Sequence, residues 1–289
     1  MYKVQTCKSF DEKKPSEGFI EIYRVMIDMG SLFILGYLAA AFAGLFLASF
    51  LISYMASASL DYWDFYLSGS LPALLVAIYA VTTWHIVWTK CGFGAILAGF
   101  WNDMPVFKAP PPRRVGEDEP SYNAAVNLLF GKSLCIYGDP DPAVLIHEEG
   151  HLRQGIAAQA LRYILQVLVV WALLGLFYSA FVHAFFIDQP HIVSWALSHL
   201  ATQVLILVVS VSLLRFYEWG LEREADFYAY EKVGEKYLAL FKSRRPNSRY
   251  KRLRAWLTDS HAPSWVRASR EYYNRRVTLL RIFLRDVLK

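Results

Sequence analysis

Long apolar stretches and polar segments follow one another along this chain on a scale of tens of residues. Four of the apolar stretches come close to the ~20 residues that a membrane-spanning helix needs. They cover residues 32–55, 71–89, 163–187 and 192–214. None carries the polar stripe of a helix that packs on a soluble core. The pattern therefore predicts four transmembrane helices, with the buried helices of a large soluble protein as the alternative.

The composition and the start of the chain favour the membrane interpretation. Of 289 residues, 55% are hydrophobic and 16% aromatic, and the mean hydropathy is +0.27, which is too apolar for an ordinary soluble enzyme. Residues 1–30 form a lead of mixed charge that does not resemble a cleavable signal peptide. We therefore expect the first apolar stretch to remain as an anchor.

The distribution of lysine and arginine predicts how the chain is oriented. These residues gather on the cytoplasmic side of membrane proteins, and the connections 56–70 and 188–191 contain none. The lead, the middle segment and the strongly basic tail after residue 214 should then face the cytoplasm. This predicts a multi-pass protein of the inner (plasma) membrane with both termini in the cytoplasm. The net charge of +5 suits a surface beside anionic lipid, and no motif indicates nucleic-acid binding.

The predicted orientation also predicts the redox state of the cysteines. Cys7, Cys91 and Cys135 fall on the predicted cytoplasmic side, and no Cys-x-x-Cys pair is present. Since the cytoplasm is reducing, we expect no disulfide.

Five residues carry the candidate chemistry, because residues 147–151 read His-Glu-Glu-Gly-His. On a helix, His147 and His151 share one face and can bind one Zn²⁺ ion through their ring nitrogens, with Glu148 beside them. Zn²⁺ lowers the pKa of a bound water and polarises a carbonyl group, and the carboxylate accepts the proton of the water. The motif therefore predicts peptide hydrolysis.

Local signals place this motif at the start of a helix. Asp141 suits an N-cap and Pro142 suits the first helical position. Residues 132–137 suit a short strand just before it, which either pairs with an extended substrate or is an ordinary packed strand. Residues 109–120 resemble an exposed linker, whereas residues 91–101 either extend the second span or lie at the membrane interface.

The metal site needs a third ligand, and the topology reduces the candidates. The third and fourth spans form an antiparallel hairpin that returns the chain to the same membrane surface at Glu222. Asp226, four residues later on the same helical face, can accept a hydrogen bond from a ligand histidine. His183, His191 and His199 belong to the opposite side and are expected to be interfacial or packing residues. His85 is expected to form a hydrogen bond between helices, with a role in a site as the alternative.

The motif His-Glu-x-x-His, two spans and then Glu222-x-x-x-Asp226 resemble the HtpX family of membrane zinc metalloproteases, which is related to the Oma-type and CaaX prenyl endopeptidases. The similarity covers residues 123–267. It includes a segment of the Ser-His-Pro type, with Ser260, His261, Pro263 and Arg267. The chain departs from the family at Glu149, in a place that is usually apolar, and at Ala262, which separates His261 from Pro263. Both departures leave the exact subfamily open.

The resemblance implies a mainly α, polytopic membrane protein with four transmembrane helices and a zincin-like (gluzincin) metalloprotease domain that contains a small β element. The ranges implied are a cytoplasmic lead 1–30, a transmembrane hairpin 31–101, a linker 102–120 and a protease domain 121–289 interrupted by the hairpin 163–214.

The resemblance also implies site residues and an activity. One Zn²⁺ would be held by His147, His151 and Glu222, with Glu148 as general base, and the substrates would be membrane or misfolded proteins under quality control at the cytoplasmic face. His261 either supports the substrate and the tetrahedral intermediate or has a structural role. Two alternatives stay open: a signalling peptidase of the BlaR or MecR type, and a catalytically silent membrane scaffold that binds zinc.

Overall fold

The structure is a computed structural model, and it describes residues 62–88, 91, 95–101, 104–109, 123–137, 141–185, 188–241 and 243–289. The predictions for the lead 1–30, for the apolar stretch 32–55, for Cys7 and for residues 110–120 fall outside the described residues. Within them the chain is mainly helical with one small sheet, which confirms the mainly α part of the predicted fold class and its small β element.

Three long helices account for most of the described chain. They are α1 (Tyr62–Trp88), α2 (Pro142–Phe185) and α3 (Pro190–Val233). Each contains a segment long and apolar enough to cross a membrane, which confirms the second, third and fourth apolar stretches as helices of that kind. At 1.5 Å per residue, the 44 residues of α3 are roughly 66 Å long, which exceeds the ~30 Å hydrocarbon core of a bilayer, whereas α2 is interrupted by non-helical backbone at Gly155.

The remaining elements are short. They are the strands β1 (Ile96–Trp101), β2 (Met104–Ala109), β3 (Asn123–Asn127) and β4 (Ser133–Tyr137), the helices α4 (Glu235–Leu238), α5 (Arg249–Thr258), α6 (Ser264–Arg267) and α7 (Leu279–Leu288), and a 3₁₀ turn at Ala239–Phe241. The described residues divide into two compact units. The sheet unit contains Trp88–Gln159 and Arg215–Lys289, and the span unit contains residues 62–87 and Ala160–Leu214.

The four strands form one mixed sheet in the order β1, β2, β4, β3. β2 and β4 are parallel, whereas the pairs β1–β2 and β3–β4 are antiparallel. The strand predicted at 132–137 is β4, and it has a partner on each side. The suggestion that these residues pair with a substrate is therefore wrong, and the alternative of a packed strand holds.

Residues 96–101 form β1, so the apolar segment after Lys90 does not extend the second span. β2 likewise occupies residues 104–109, within the predicted linker. A six-residue apolar run is compatible with a strand as well as with part of a helix, because periodicity cannot separate the two at this length.

Alternation along the strands gives the sheet two apolar faces. Val106, Leu134 and Ile136 point to one face, against which Val144 and Leu145 of α2 pack. Cys91, Phe107 and Cys135 share a second cluster. The first turns of α2, which carry the histidine motif, are therefore packed on the sheet.

A disulfide joins Cys91 to Cys135, with the two Cα atoms 5.4 Å apart. The expectation of unpaired cysteines is wrong for this pair. Both cysteines are buried in the same apolar cluster as Phe107, the residue of β2 that pairs with Cys135 of β4. Because the two cysteines are separated by 44 positions in the sequence, no local pattern indicates the pair.

We expect protein purified without reductant to yield a cross-linked peptide containing Cys91 and Cys135, with Cys7 free to react with an alkylating agent. Closing a loop of this length contributes about 2–4 kcal/mol to the free energy of unfolding. Cys91→Ser should therefore unfold at a lower temperature than the matched control Cys7→Ser. Alkylation of all three cysteines without reductant would contradict the pairing. Trapping thiols in intact cells would further show whether the sheet unit lies in a reducing compartment.

The span unit contains a buried group of polar side chains around His199. The ring atom Nδ1 lies 2.5 Å from Ser179 Oγ, and Nε2 lies 3.0 Å from Ser70 Oγ and 3.3 Å from Gln203 Nε2. These contacts link α1, α2 and α3, so His199 is a packing residue as predicted. His85 also bonds between helices, with Nε2 2.7 Å from Gln166 Oε1, which confirms the preferred interpretation.

The C-terminal elements enclose an aromatic core of their own. Trp219 of α3 contacts the rings of Trp256 and Phe283 at centroid distances of 4.9 and 5.5 Å. The alternating basic and aromatic residues of the tail predict a solvated or membrane-apposed helical face, but Arg252 is buried and donates to the Asp286 carbonyl oxygen. Only part of the basic tail is therefore on the surface.

Candidate metal centre

The motif helix begins where its capping residues predict. Ala143 donates its backbone N–H to Asp141 Oδ1 at 2.8 Å, and α2 starts at Pro142. Inside α2, Gly155 has φ 77° and ψ 178°, a conformation that residues with a Cβ atom rarely adopt. This break separates the turns that carry His147 and His151 from the apolar remainder of the helix.

A close helix contact brings the two halves of the site together. A Cβ atom at Gly150 would lie 2.8 Å from the Ala225 Cα atom, so only glycine fits between α2 and the backbone of α3. Gly150 sits between the two motif histidines, and Ala225 follows Glu222 by three residues. This contact places the Glu222 carboxylate opposite both imidazole rings.

Three side chains converge at this contact. His147 Nε2 and His151 Nε2 each lie 3.2 Å from Glu222 Oε2. All three residues are buried, and one ligand atom from each lies within 4.8 Å of the others, a group that could hold a metal ion. The structure thus brings together the three ligands expected from the sequence.

The opposite ring nitrogens of both histidines have acceptors. His147 Nδ1 lies 2.9 Å from Asp226 Oδ1, and His151 Nδ1 lies 3.0 Å from Gln154 Oε1. Gln154 is itself fixed, because its Nε2 donates to the Leu221 carbonyl oxygen at 2.6 Å. With the protons on Nδ1, both Nε2 lone pairs face a carboxylate oxygen, and such acceptors repel one another unless a cation or additional protons lie between them.

Asp226 is held from several sides. Arg267 donates to both of its oxygens, at 2.9 Å from Nε and 2.6 Å from Nη2. The hydroxyl groups of Tyr237 and Tyr272 donate to it at 2.6 and 3.0 Å. Burial and the Asp226 charge raise the pKa of both tyrosines, so their hydroxyl groups keep the proton they donate. The Asp226 carboxylate is thus fixed behind His147.

Glu148 lies beside this group but does not belong to it. Among the described residues, the mutually close ligand atoms come only from His147, His151 and Glu222. The buried Glu148 side chain instead accepts a hydrogen bond from the Val126 backbone N–H, with Oε2 at 2.8 Å. Val126 is in β3, at one end of the sheet order, so the carboxylate lies at the edge of the sheet.

His261 occupies the outer side of the group. Its Nε2 lies 2.9 Å from Glu222 Oε2, and its Nδ1 lies 3.1 Å from Asp259 Oδ1. Burial lowers the pKa of His261, but the Glu222 carboxylate and the hydrogen bond to Asp259 outweigh it and raise the pKa to about 10. Its side chain is 31% exposed, compared with 5% for His147, so it lies on the more exposed side of the group.

The helix spacing predicts an ion pair of Glu149 with Arg153, four residues later, but Glu149 has a different hydrogen-bond partner in the structure. The structure places Tyr228 beside both residues: its hydroxyl group donates to Glu149 Oε1 at 2.5 Å, and the Arg153 guanidinium lies 4.5 Å from the centre of its ring. Glu149 therefore links α2 to α3 and is not part of the group of ligands.

Several residues around the site escaped prediction. Gln154 follows His151 by three positions, a spacing that places both on one helix face and could have suggested the contact. The Val126 contact depends on the path of β3, and Tyr237 and Tyr272 arrive from separate C-terminal segments. No local pattern signals these partners.

Comparison with known proteins adds no family assignment. No protein-family model, no curated protein and no solved structure matches this chain. The function must therefore be argued from the site itself.

Proposed function

We propose that this chain is a membrane-embedded, zinc-dependent endopeptidase of the HtpX type that hydrolyses peptide bonds of membrane or misfolded proteins. One observation carries the proposal. Two imidazole Nε2 atoms and one carboxylate oxygen converge at a buried position. Glu148, which follows His147 in the sequence, is outside that group of possible ligands, and its carboxylate accepts a hydrogen bond from Val126. Three protein ligands with an unligated base are typical of catalytic zinc sites, whereas structural sites use four protein ligands.

The donor set fits zinc better than magnesium or calcium. Two imidazole nitrogens and one carboxylate suit Zn²⁺, whereas magnesium and calcium select oxygen ligands. The two Nδ1 contacts, to Asp226 and to Gln154, orient the rings and fix the protons away from the ligand atoms. Bound zinc would lower the pKa of a water molecule and polarise the carbonyl group of the substrate.

Within this proposal, Glu148 is the general base. Val126 holds Oε2, which leaves Oε1 to accept the proton of the attacking water and later to deliver it to the amine that leaves. His261, with its proton on Nε2, would donate to the oxygen that becomes negative in the transition state. The support for this role is its position at the exposed side of Glu222.

The edge of β3 offers a place for an extended substrate. In an antiparallel pair the N–H and C=O groups of one residue point to the same side. Since the Val126 N–H points to Glu148 and away from β4, its carbonyl group points to the same edge. A substrate strand that paired there would run beside the Glu148 carboxylate, which would align a peptide bond with the base.

Metal removal tests the proposal directly. We expect the purified full chain in detergent or in a bilayer disc to contain about one zinc per chain by elemental analysis. A chelator should abolish cleavage of an unfolded membrane protein, and Zn²⁺ should restore it. Full cleavage after verified metal removal would overturn the proposal. Retained zinc without cleavage of any tested protein would instead favour the silent scaffold.

A further inference from the structure

The C-terminal helix α7 has two apolar surfaces, and in the part of the chain that the structure describes only one of them packs on other elements. Ile282 is buried in the aromatic core, with Phe283 and Val287 packed against it. Leu280, Leu284 and Leu288 lie on another side and are 51%, 43% and 58% exposed. Their spacing of four residues makes a continuous leucine stripe on the outward surface of the helix.

Basic residues accompany this stripe. Arg281, Arg285 and Lys289 each follow one of the leucines, so they form a parallel row about 100° further around the helix. All three are exposed. Residues 243–289 contain thirteen basic and three acidic residues, although the whole chain has a net charge of only +5. The tail is thus strongly basic and the rest of the chain is net acidic.

We propose that the outward surface of α7 is an interfacial helix that binds the anionic surface of a lipid bilayer, with the leucine stripe among the acyl chains and the basic row at the headgroups. Adjacent apolar and basic rows are what such helices require. The same chain carries helices of membrane-spanning length, so a bilayer is available as the partner. The proposal does not depend on the peptidase activity.

Charge complementarity decides between a bilayer and a second copy of the chain. A symmetric contact of α7 with α7 would bring two basic rows together, which costs free energy, whereas anionic lipid attracts both rows. The attraction acts within a Debye length of ~8 Å at physiological ionic strength, a distance that exposed side chains of a docked helix satisfy.

The test uses the full chain, with Cys7→Ser to remove the cysteine outside the disulfide and Leu284→Cys to carry an environment-sensitive fluorophore. The protein is reconstituted in vesicles of phosphatidylcholine alone or with phosphatidylglycerol. We expect a blue shift and quenching by lipids brominated on the acyl chain, both stronger in the anionic vesicles. The protein with Cys7→Ser alone measures background labelling. A fluorophore at Glu235→Cys, an exposed acidic position outside α7, should show the emission of a water-exposed probe in both kinds of vesicle.

Charge reversal separates the lipid from other partners. Because Arg285 already contacts Glu271, Arg281→Glu with Lys289→Glu is the informative pair, and it should remove the preference for anionic vesicles. Lys108→Glu with Lys132→Glu, two exposed lysines of the sheet unit, makes the same change in net charge and should leave the preference intact. A Leu284 probe that reports water in both lipids would overturn the proposal. The proposal would also fail if burial of the fluorophore depended on the protein-to-lipid ratio and not on the lipid charge, since that result indicates contact between copies of the chain.

Discussion

Glu148→Gln is expected to keep the bound metal and to lower the rate of peptide cleavage by roughly 10²–10⁴-fold, the usual contribution of a general base. This corresponds to about 3–5 kcal/mol of transition-state stabilisation. Glutamine has the shape of glutamate and can still accept the hydrogen bond from Val126, but it cannot take a proton from water. The measurements are zinc content and the initial rate of cleavage of an unfolded membrane protein.

The control for this variant lies next to it in the chain. Glu149→Gln makes the same chemical change on the same helix, at a side chain that bonds Tyr228 and does not join the ligands. We expect nearly normal metal content and cleavage. If Glu148→Gln and wild type cleaved equally fast, Glu148 would not be the base and the endopeptidase proposal would fail.

The candidate metal centre combines residues that are far apart in the sequence, and a close contact between α2 and α3 brings them together. Alone, His147 and His151 offer two ligands on one helix face. The glycine contact at Gly150 lets α3 approach closely enough for Glu222 to complete the set, and Asp226 then lies behind His147. The long apolar segments of α2 and α3 lie between these two groups of residues in the sequence.

The residues of the candidate metal centre could be predicted because their signals are local and periodic. His147 and His151 are four residues apart, as are Glu222 and Asp226, and helix geometry converts both spacings into shared faces. The helix start at Pro142 was also predictable, since capping by Asp141 involves neighbouring residues only. Helices of membrane length followed from hydropathy alone.

Contacts between segments distant in the chain could not be predicted in this way. β1 and β2 are short apolar runs, and their pairing decides that they are strands. The interior position of β4 depends on two partners, one of which is more than twenty residues earlier. The disulfide between Cys91 and Cys135 requires the same pairing, and the expectation of a reducing compartment argued against it.

The environment of His261 could be predicted only in part. Its place in a segment of the Ser-His-Pro type suggested a role near the site, and the structure puts its Nε2 next to Glu222. The inserted Ala262 leaves this contact intact. The sequence did not indicate Asp259, whose carboxylate lies 3.1 Å from the other ring nitrogen and holds the imidazole in place.

Glu222→Ala is expected to lower the metal affinity, and with it the rate of cleavage. The loss should exceed the ~10–100-fold that follows when a residue that only hydrogen-bonds to a metal ligand is removed. The reason is that only two neutral imidazoles would remain, too few for a catalytic zinc site. Glu222→Gln should bind metal weakly, because it keeps an oxygen but loses the charge. Metal content and zinc titration of the purified variants provide the measurement, and thermal unfolding without metal shows whether each variant is folded.

Glu224→Ala is the matched control for this loss. Glu224 is two residues further along the same helix, and its side chain is 58% exposed, with its carboxylate 3.9 Å from Arg275. The substitution therefore removes one acidic charge from α3 without contacting the proposed metal ligands, and we expect unchanged metal content and cleavage. Full zinc content in a folded Glu222→Ala protein would refute the third ligand. Because the Glu148 test reports on proton transfer and this one on metal binding, the two variants separate a wrong base from a wrong metal site.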